Sequence, residues 1–513
     1  MNKYIYIIVV LLVLSCDQVT TKSPMFIIHS DQIIGTDFIG NGVQWSAYPH
    51  ADSPEAEWGE LMNQAKWDTV MTRLDIQRPP FIRVMDQAAW RYFKGYNKDG
   101  TPILDFDTQE IKSLFKILDY CQKRNITVVF GEWGAPDYDT KPKPSNHIKG
   151  ANDPRWINMI GEYLSFIIIE KRYTCIKYYN LVNEPNGNWA STNGNYEEWK
   201  EGVVMLQAEL VRRGLDQFIS ISGPGTVPDY DNPITEYHDW MWTINSIEDI
   251  DSILSIYEVH AYLSTEAVRD GKAAESIFLD SIMDAVNTSG KQFFLGELGM
   301  KEPWGSKKYK ENIRRVNSDP CAGPDSNMRV YDFDYGVDMV DAAIQMMNFG
   351  VDGMMAWDVD DAMHTSGDTG DTSKLKRWGF WNILGSEICG NSKDESIRPW
   401  FYSWSLMSKY FPKGSTILKS SSYDIPYGVR LAAGMQDEDY TIALVNNSDS
   451  IRSVSWSMPN VSGDRIVHQY RFEEIKGQDS YNKVETIEID FERGCQLELI
   501  PKSVVLITTM LLR

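Results

Sequence analysis

Short apolar runs alternate with helical patterns from about residue 36 to residue 412. Eight such runs occur, at residues 38–45, 81–85, 126–130, 176–182, 218–222, 253–259, 292–295 and 352–357. Strands that are apolar along their whole length are typical of a parallel sheet, which is buried on both faces. Eight strands of this kind, each followed by a helix, predict a (β/α)8 TIM barrel in the α/β class.

Helical patterns fill the segments between these strands. Asp107 and Glu110 have capping-box spacing, and apolar residues follow at helical intervals from Ile111 onwards. Asp153 and Pro154 have the pattern that starts another amphipathic helix. A doubly wound open sheet is the structural alternative, but no glycine-rich phosphate loop follows the first strand. The barrel is therefore the favoured interpretation.

The pattern changes after residue 412 to short strands of alternating polarity. They lie at residues 429–432, 440–445, 453–457, 466–470, 497–500 and 504–508, with turn residues between them. This spacing predicts a smaller antiparallel β-sandwich over residues 413–513, following a barrel over residues 25–412. Residues 25–28 are a candidate additional strand of that sandwich.

Residues 1–24 predict a lipoprotein signal peptide and tether. A short charged start precedes an apolar stretch over residues 4–14, which is too short to span a bilayer as a stable helix. Residues 12–16 resemble a bacterial lipobox, in which Cys16 becomes the lipidated first residue. An ordinary signal peptide that contains a cysteine is the alternative. We expect an exported bacterial lipoprotein, periplasmic or anchored at the outer membrane or cell surface, whose only membrane contact is this anchor.

Composition excludes several classes of partner. The 513-residue chain carries a net charge of −22, which argues against nucleic acid and anionic membrane surfaces. Its seven histidines and six cysteines show no spacing typical of a zinc site, so no metal and no cofactor is predicted. Some of the seventeen tryptophans must lie in the core, but flat aromatic faces also bind the apolar faces of sugar rings.

Five cysteines follow Cys16. Cys121 and Cys175 lie in apolar surroundings and are predicted to be buried free thiols. Cys321 and Cys389 lie in two polar segments and are candidates for a disulfide, although spacing alone leaves the pairing open.

Two glutamates follow the fourth and seventh strands of the predicted barrel. Glu184 comes after residues 176–182 and Asn183, and Glu297 comes after residues 293–296. The carboxyl ends of barrel strands meet at one face, so the two carboxyl groups are predicted to share a cavity. One acid that protonates a leaving oxygen and one carboxylate that attacks the sugar are the minimum for cleaving a glycosidic bond.

The other strand ends add polar and aromatic side chains to the same face. Core packing gives no reason for such residues there. Together with Asn183 they are the candidate substrate-binding residues: Trp45, Arg83, Trp133, His260, Tyr262 and Trp357.

These motifs resemble clan A of the glycoside hydrolases, which are retaining enzymes. The Asn-Glu-Pro sequence around Glu184 resembles the acid/base motif of strand four, and the Gly-Glu-Leu-Gly sequence around Glu297 resembles the nucleophile motif of family 5. Asn-Glu-Pro-Asn and the Gly-Pro pair at residues 223–224 are similar to family 39 instead. The resemblance covers the barrel and leaves the family open; a trailing β-sandwich is a common accessory in this clan.

The resemblance implies a role for each residue. Glu184 is the acid/base, and Glu297 is the nucleophile, kept ionised by Arg83 and Tyr262. Partial burial and the second carboxylate are expected to raise the pKa of Glu184. In a retaining site the two carboxyl groups are about 5–5.5 Å apart.

Three further roles concern the sugar. Asn183 donates to its 2-hydroxyl group, His260 hydrogen-bonds near the acid/base, and Trp357 forms the floor of the subsite for the attacked ring. We expect a retaining hydrolase that cleaves β-glycosidic bonds in a polysaccharide or oligosaccharide and works as a monomer. The alternatives are a non-catalytic glycan-binding lipoprotein on the same barrel, an inverting enzyme and a transglycosylase.

Overall fold

The computed structural model describes residues 25–137, 146–233, 238–474 and 482–511. Two large sheets dominate these ranges: a closed barrel of eight strands and a nine-stranded sheet. The strands are β1 (Met25–Phe38), β2 (Gly40–Gln44), β3 (Phe81–Asp86), β4 (Phe93–Tyr96), β5 (Pro102–Leu104), β6 (Thr127–Glu132), β7 (Ile176–Asn180), β8 (Ser220–Thr226), β9 (Leu254–Leu263), β10 (Phe293–Met300), β11 (Gly353–Ala356), β12 (Thr365–Ser366), β13 (Asp371–Leu375), β14 (Ser415–Tyr423), β15 (Val429–Gln436), β16 (Asp439–Asn446), β17 (Arg452–Ser457), β18 (Asp464–Phe472), β19 (Asn482–Asp490), β20 (Cys495–Leu499) and β21 (Ser503–Thr508).

The barrel confirms the predicted fold. Its strands follow the order β10-β11-β2-β3-β6-β7-β8-β9 around the ring, and every neighbouring pair is parallel. Each of the eight apolar runs in the sequence overlaps one of these strands. Strands β3 and β6 are buried along their whole length, as a strand with the barrel interior on one side and helices on the other must be.

Helices lie between the barrel strands in the sequence and within the longer connecting segments. They are α1 (Gln64–Gln77), α2 (Ala88–Arg91), α3 (Gln109–Lys123), α4 (Pro154–Leu164), α5 (Tyr196–Arg213), α6 (Met241–Ile250), α7 (Thr265–Arg269), α8 (Leu279–Ser289), α9 (Lys307–Ser318), α10 (Phe333–Phe349), α11 (Gly385–Cys389) and α12 (Trp400–Tyr410). Asp153 caps α4 as predicted, with Pro154 in the first turn. Helix α3 begins one residue later than the capping box predicts, because the Thr108 hydroxyl, and not Asp107, accepts the Ile111 N–H.

The barrel interior is apolar toward the amino ends of the strands and polar toward their carboxyl ends. A separate cluster of buried apolar side chains fills its lower part: Ile39, Phe81, Val129, Ile256, Phe294 and Met355. Above it lies a layer of buried polar side chains: Gln44, Arg83, Asn180, Glu258 and His260. Asn180 donates to Glu258 and Arg83 donates to Gln44, while each of these five side chains also has one buried nitrogen or oxygen without a hydrogen-bond partner. This polar layer supports the site at the carboxyl ends of the strands.

The second sheet is mostly antiparallel, in the order β19-β18-β21-β16-β15-β14-β1-β17-β20. Strand β1 pairs antiparallel with β14 and parallel with β17. The additional strand considered for residues 25–28 therefore exists and extends to Phe38, so the chain enters through the second sheet before it builds the barrel. Strands β14 and β19 are absent from the sequence prediction because their serines and charged residues hide the alternating pattern.

One face of the second sheet packs on the barrel. Phe472 of β18 stacks on Phe333 of α10, with ring centroids 4.2 Å apart. Arg430 of β15 forms an ion pair with the buried Asp341 of α10 at 2.7 Å. The other face has an apolar core of its own, which includes Leu431. The sheet is thus joined to the barrel by both apolar and charged contacts.

The cysteines agree with the sequence analysis where it made a prediction. Cys121 and Cys175 are buried free thiols. Cys321 and Cys389 form a disulfide, which joins the segment after β10 to the segment after β11. Cys16 lies outside the described residues. Within the described ranges, none of the helices combines the length and the apolar composition needed to cross a membrane.

Candidate active site

Glu184 and Glu297 meet at the carboxyl end of the barrel. Glu297 lies in β10, beside His260 of β9 in the sheet register. Glu184 lies just after β7 with a positive φ of 47°, which is uncommon outside glycine and turns its side chain sharply at the strand end. One oxygen of each carboxyl group and one nitrogen of His260 all lie within 4.8 Å of one another.

Two donors, Arg83 and Tyr262, hold the carboxyl group of Glu297. Nη1 of Arg83 donates to Oε1 at 2.5 Å, and the Tyr262 hydroxyl donates to Oε2 at 2.5 Å. Burial and the negative charge of Glu297 raise the pKa of Tyr262 far above its usual range, so the hydroxyl keeps its proton. With one donor on each oxygen, the orientation of the Glu297 carboxyl group is fixed.

Arg83 also orients Asn183. Its Nη2 atom donates to Oδ1 of Asn183 at 2.5 Å, while Nη1 also donates to Oε1 of Gln44 at 2.7 Å. Arg83 is completely buried, so its guanidinium acts as a rigid fork between these partners. This bond fixes the Asn183 side chain by its carbonyl oxygen, so its amide nitrogen is the atom of the group that can donate to a ligand.

Each oxygen of the Glu184 carboxyl group has one hydrogen-bond partner. His260 Nδ1 lies 2.9 Å from Oε1, and Trp189 Nε1 donates to Oε2 at 2.7 Å. Burial lowers the pKa of His260 to about 3, so the ring is neutral at physiological pH. Burial raises the pKa of Glu184, and the bond from Trp189 opposes that rise.

The rings of Trp133, Trp357 and His364 form an aromatic wall beside Glu297. The Trp357 ring stacks on His364 at 5.0 Å, and Trp133 meets Trp357 edge-on at 6.0 Å and His364 at 5.6 Å. The guanidinium carbon of Arg83 lies 6.0 Å from the Trp133 ring centre, which links this wall to the carboxyl pair. Flat faces at this position suit a sugar ring bound next to Glu297.

Trp45 does not lie in the site, contrary to its selection as a substrate-binding residue. Its side chain is completely buried and packs against Trp67 and Tyr120 of the outer helices, at 6.1 and 5.4 Å. Neighbouring residues of a strand face opposite sides, so Gln44 points inward and the next residue points toward the helices. The other predicted residues are brought together: Arg83, Trp133, Asn183, Glu184, His260, Tyr262, Glu297 and Trp357.

Three residues of the site are not among the candidate substrate-binding residues, although Trp189 and Trp378 lie on long aromatic loops of the kind that shape substrate subsites. Trp189 contacts Glu184, His364 belongs to the aromatic wall, and Trp378 packs edge-on against Tyr262 at 5.4 Å. His364 and Trp378 lie in a long segment whose path no local pattern predicts. Trp189 is only five residues after Glu184, and this proximity was a usable signal.

Glu184, His260 and Glu297 are also close enough to offer one ligand atom each to a small cation. In the described structure those atoms already have hydrogen-bond partners, and the Arg83 guanidinium lies against Glu297. A fixed positive charge at this point opposes a second cation. The arrangement is therefore better suited to proton transfer and nucleophilic attack than to metal binding.

Solved structures share this fold at low sequence identity. A glycoside hydrolase family 30 subfamily 8 xylanase from Clostridium acetobutylicum matches with a TM-score of 0.60 and 14% identity, over 95% of this chain and 99% of that one. A conserved exported protein from Bacteroides fragilis matches with a TM-score of 0.63 and 13% identity, over 94% and 100%. A family 39 β-xylosidase from Caulobacter crescentus gives 0.56 and 12%, over 94% and 99%.

Comparison by sequence gives no match. No protein-family model matches the chain, and no curated protein matches it. The likeness therefore extends to the fold, a TIM barrel with an accessory sheet, and to nearly the whole length of both chains.

Proposed function

We propose that the protein is a retaining glycoside hydrolase that cleaves β-glycosidic bonds in a polysaccharide or oligosaccharide. The observation that carries this proposal is that one carboxyl oxygen of Glu184 and one of Glu297 lie within 4.8 Å of each other. Double displacement needs a separation of about 5–5.5 Å, whereas an inverting site needs about 6.5–9.5 Å to hold a water. The xylanase and β-xylosidase among the similar structures support the same class of reaction.

In the first step, Glu297 attacks the anomeric carbon and Glu184 gives its proton to the departing oxygen. The bond to the leaving group breaks as the glycosyl–Glu297 bond forms. Arg83 and Tyr262 hold the attacking carboxylate in line. The amide of Asn183 donates to the 2-hydroxyl group, and this bond tightens as positive charge develops on the ring.

In the second step, Glu184 acts as a base. It takes a proton from a water molecule, whose oxygen attacks the anomeric carbon and releases Glu297 as a carboxylate. Two inversions at the same carbon retain its configuration. His260 is neutral and its Nδ1 atom lies 2.9 Å from Oε1 of Glu184, so the tautomer with a proton on Nδ1 stabilises the carboxylate that this step requires.

The direct test is a screen on aryl β-glycosides and on β-linked polysaccharides, with proton NMR of the first product formed. Xylosides and xylan come first, because similar structures act on them by name. We expect release of the β-anomer before mutarotation. An α-anomer would indicate an inverting enzyme, and binding of polysaccharide without any hydrolysis would support the non-catalytic glycan-binding alternative.

The pH dependence of kcat/KM should depend on Glu184. Its acid form is the active one in the first step, and burial raises its pKa, so activity should persist above the usual glutamate range and fall as pH rises through that raised pKa. The leaving group of a 2,4-dinitrophenyl glycoside departs without being protonated. With this substrate, the fall of kcat/KM at high pH should therefore weaken or vanish. If both substrates kept the same basic limb, that limb would belong to another group.

We also propose that Cys16 is lipidated and that the mature protein is an exported lipoprotein, because residues 12–16 resemble a lipobox. The several acyl chains of a lipoprotein anchor stably, so wild-type protein should sediment with membranes and Cys16→Ala should be released almost completely. Cys495→Ala, which removes a partly exposed free thiol, is the control and should stay in the membrane fraction. Membrane retention of Cys16→Ala would contradict the proposal.

A further inference from the structure

Trp189 combines surface exposure with a direct bond to the acid/base. It is 45% exposed, yet its indole N–H donates to Oε2 of Glu184 at 2.7 Å. It lies in the segment between β7 and α5, and its ring packs against Tyr230 at 4.6 Å. A large aromatic side chain on the surface is therefore held against the group that must meet the leaving oxygen.

The backbone is shaped for this ring position. A Cβ atom at Gly187 would lie 2.3 Å from Cε2 of the indole, and the three atoms nearest to it all belong to Trp189. The Gly187 N–H in turn donates to the carbonyl oxygen of Glu184 at 2.9 Å. Glycine at this position lets the indole lie flat on the turn that carries Glu184.

The two oxygens of Glu184 have different surroundings. Oε1 faces His260, which is completely buried in the barrel interior, whereas Oε2 faces the exposed Trp189. A leaving group that approaches from the exposed side meets Oε2 before Oε1. Because the indole N–H is bonded to Oε2, an aglycone that takes its proton from this oxygen displaces the indole.

The hydrogen bond also favours one protonation state. A carboxylate oxygen is a strong acceptor, whereas the hydroxyl oxygen of a protonated carboxyl group is a weak one. With Trp189 in place, Glu184 is stabilised as the base. With Trp189 displaced, burial favours the acid.

On the basis of the proposed function, we propose that Trp189 is a positioning residue that switches Glu184 between its two roles. The aglycone displaces the indole, and Glu184 transfers its proton to the departing oxygen. Once the aglycone has left, the indole returns to Oε2 and stabilises the carboxylate. Glu184 then takes a proton from the attacking water, whose oxygen bonds to the anomeric carbon as the bond to Glu297 breaks.

The test compares Trp189→Phe, which keeps a ring and removes the N–H, with Gly187→Ala, which removes the space for the ring. In both variants the basic limb of kcat/KM should move up by about one pH unit, because loss of a hydrogen bond to the carboxylate raises the pKa of Glu184. The acidic limb of kcat on the 2,4-dinitrophenyl glycoside, which reports the second step, should move up as well. Trp304→Phe, at an 87% exposed tryptophan, should move neither limb.

Trp189 fluorescence provides a readout that does not need turnover. The difference in emission between wild type and Trp189→Phe should titrate with pH, and Glu184→Gln should abolish that titration. Unchanged limbs in an active Trp189→Phe enzyme, with only a raised KM for long aglycones, would refute the switch and make Trp189 a simple sugar platform. If the Trp189 fluorescence of the wild type changed with pH but the protein hydrolysed no β-glycoside, both the proposed function and the switch would be overturned.

Discussion

Replacing Glu297 by alanine is expected to abolish turnover of every substrate, while replacing Glu184 by alanine should spare activated ones. Without Glu297 no covalent intermediate forms, whatever the leaving group. Without Glu184 a poor leaving group loses its proton donor, a loss of about 100-fold to 10,000-fold. A 2,4-dinitrophenyl leaving group needs no such donor, so its first step should change little.

The measurement is kcat/KM on a series of aryl glycosides of rising leaving-group pKa. Azide should rescue Glu184→Ala and yield a β-glycosyl azide, because a small anion can enter the space of the missing side chain. Glu311→Ala makes the same chemical change on the exposed surface of α9 and is the control. Full activity of Glu184→Ala on natural glycan would contradict the assignment of Glu184.

Deleting residues 413–513 is expected to give a barrel that aggregates or melts early. The deletion uncovers the apolar face of α10 and leaves β1 without its antiparallel partner β14. Each large apolar side chain newly exposed to water costs about 1.5–3 kcal/mol. The deletion also removes Arg430, the ion-pair partner of the buried Asp341. Breaking a buried ion pair by removing one partner costs about 3–5 kcal/mol.

A point variant tests the same contact without truncation. Phe472→Ala removes a fully buried ring that stacks on Phe333 and should cost about 3–5 kcal/mol. Val484→Ala, on the neighbouring strand but 51% exposed, should change the free energy of unfolding by less than about 0.5 kcal/mol. A soluble truncation with an unchanged melting temperature and weaker polysaccharide binding would instead make the second sheet a carbohydrate-binding module.

Local patterns were enough to predict the barrel and most of its site. Each barrel strand is marked by its own apolar run, and the strand-end rule brings together Glu184 and Glu297, 113 positions apart in the chain. Periodicity also predicts helix α3, although the choice between Asp107 and Thr108 as its cap depends on hydrogen-bond geometry that spacing does not resolve. Features that follow from a repeating local pattern, such as the barrel strands and helix α3, can therefore be predicted from the sequence.

Features that depend on distant contacts required the tertiary structure. Trp45 and Trp133 each come directly after a barrel strand, and only the direction of each side chain separates a core residue from a member of the aromatic wall. The partner of Cys321 and the pairing of β1 with β14 join segments that are far apart in sequence. Which residues meet across such distances is set by packing of the whole chain, because no local propensity encodes it.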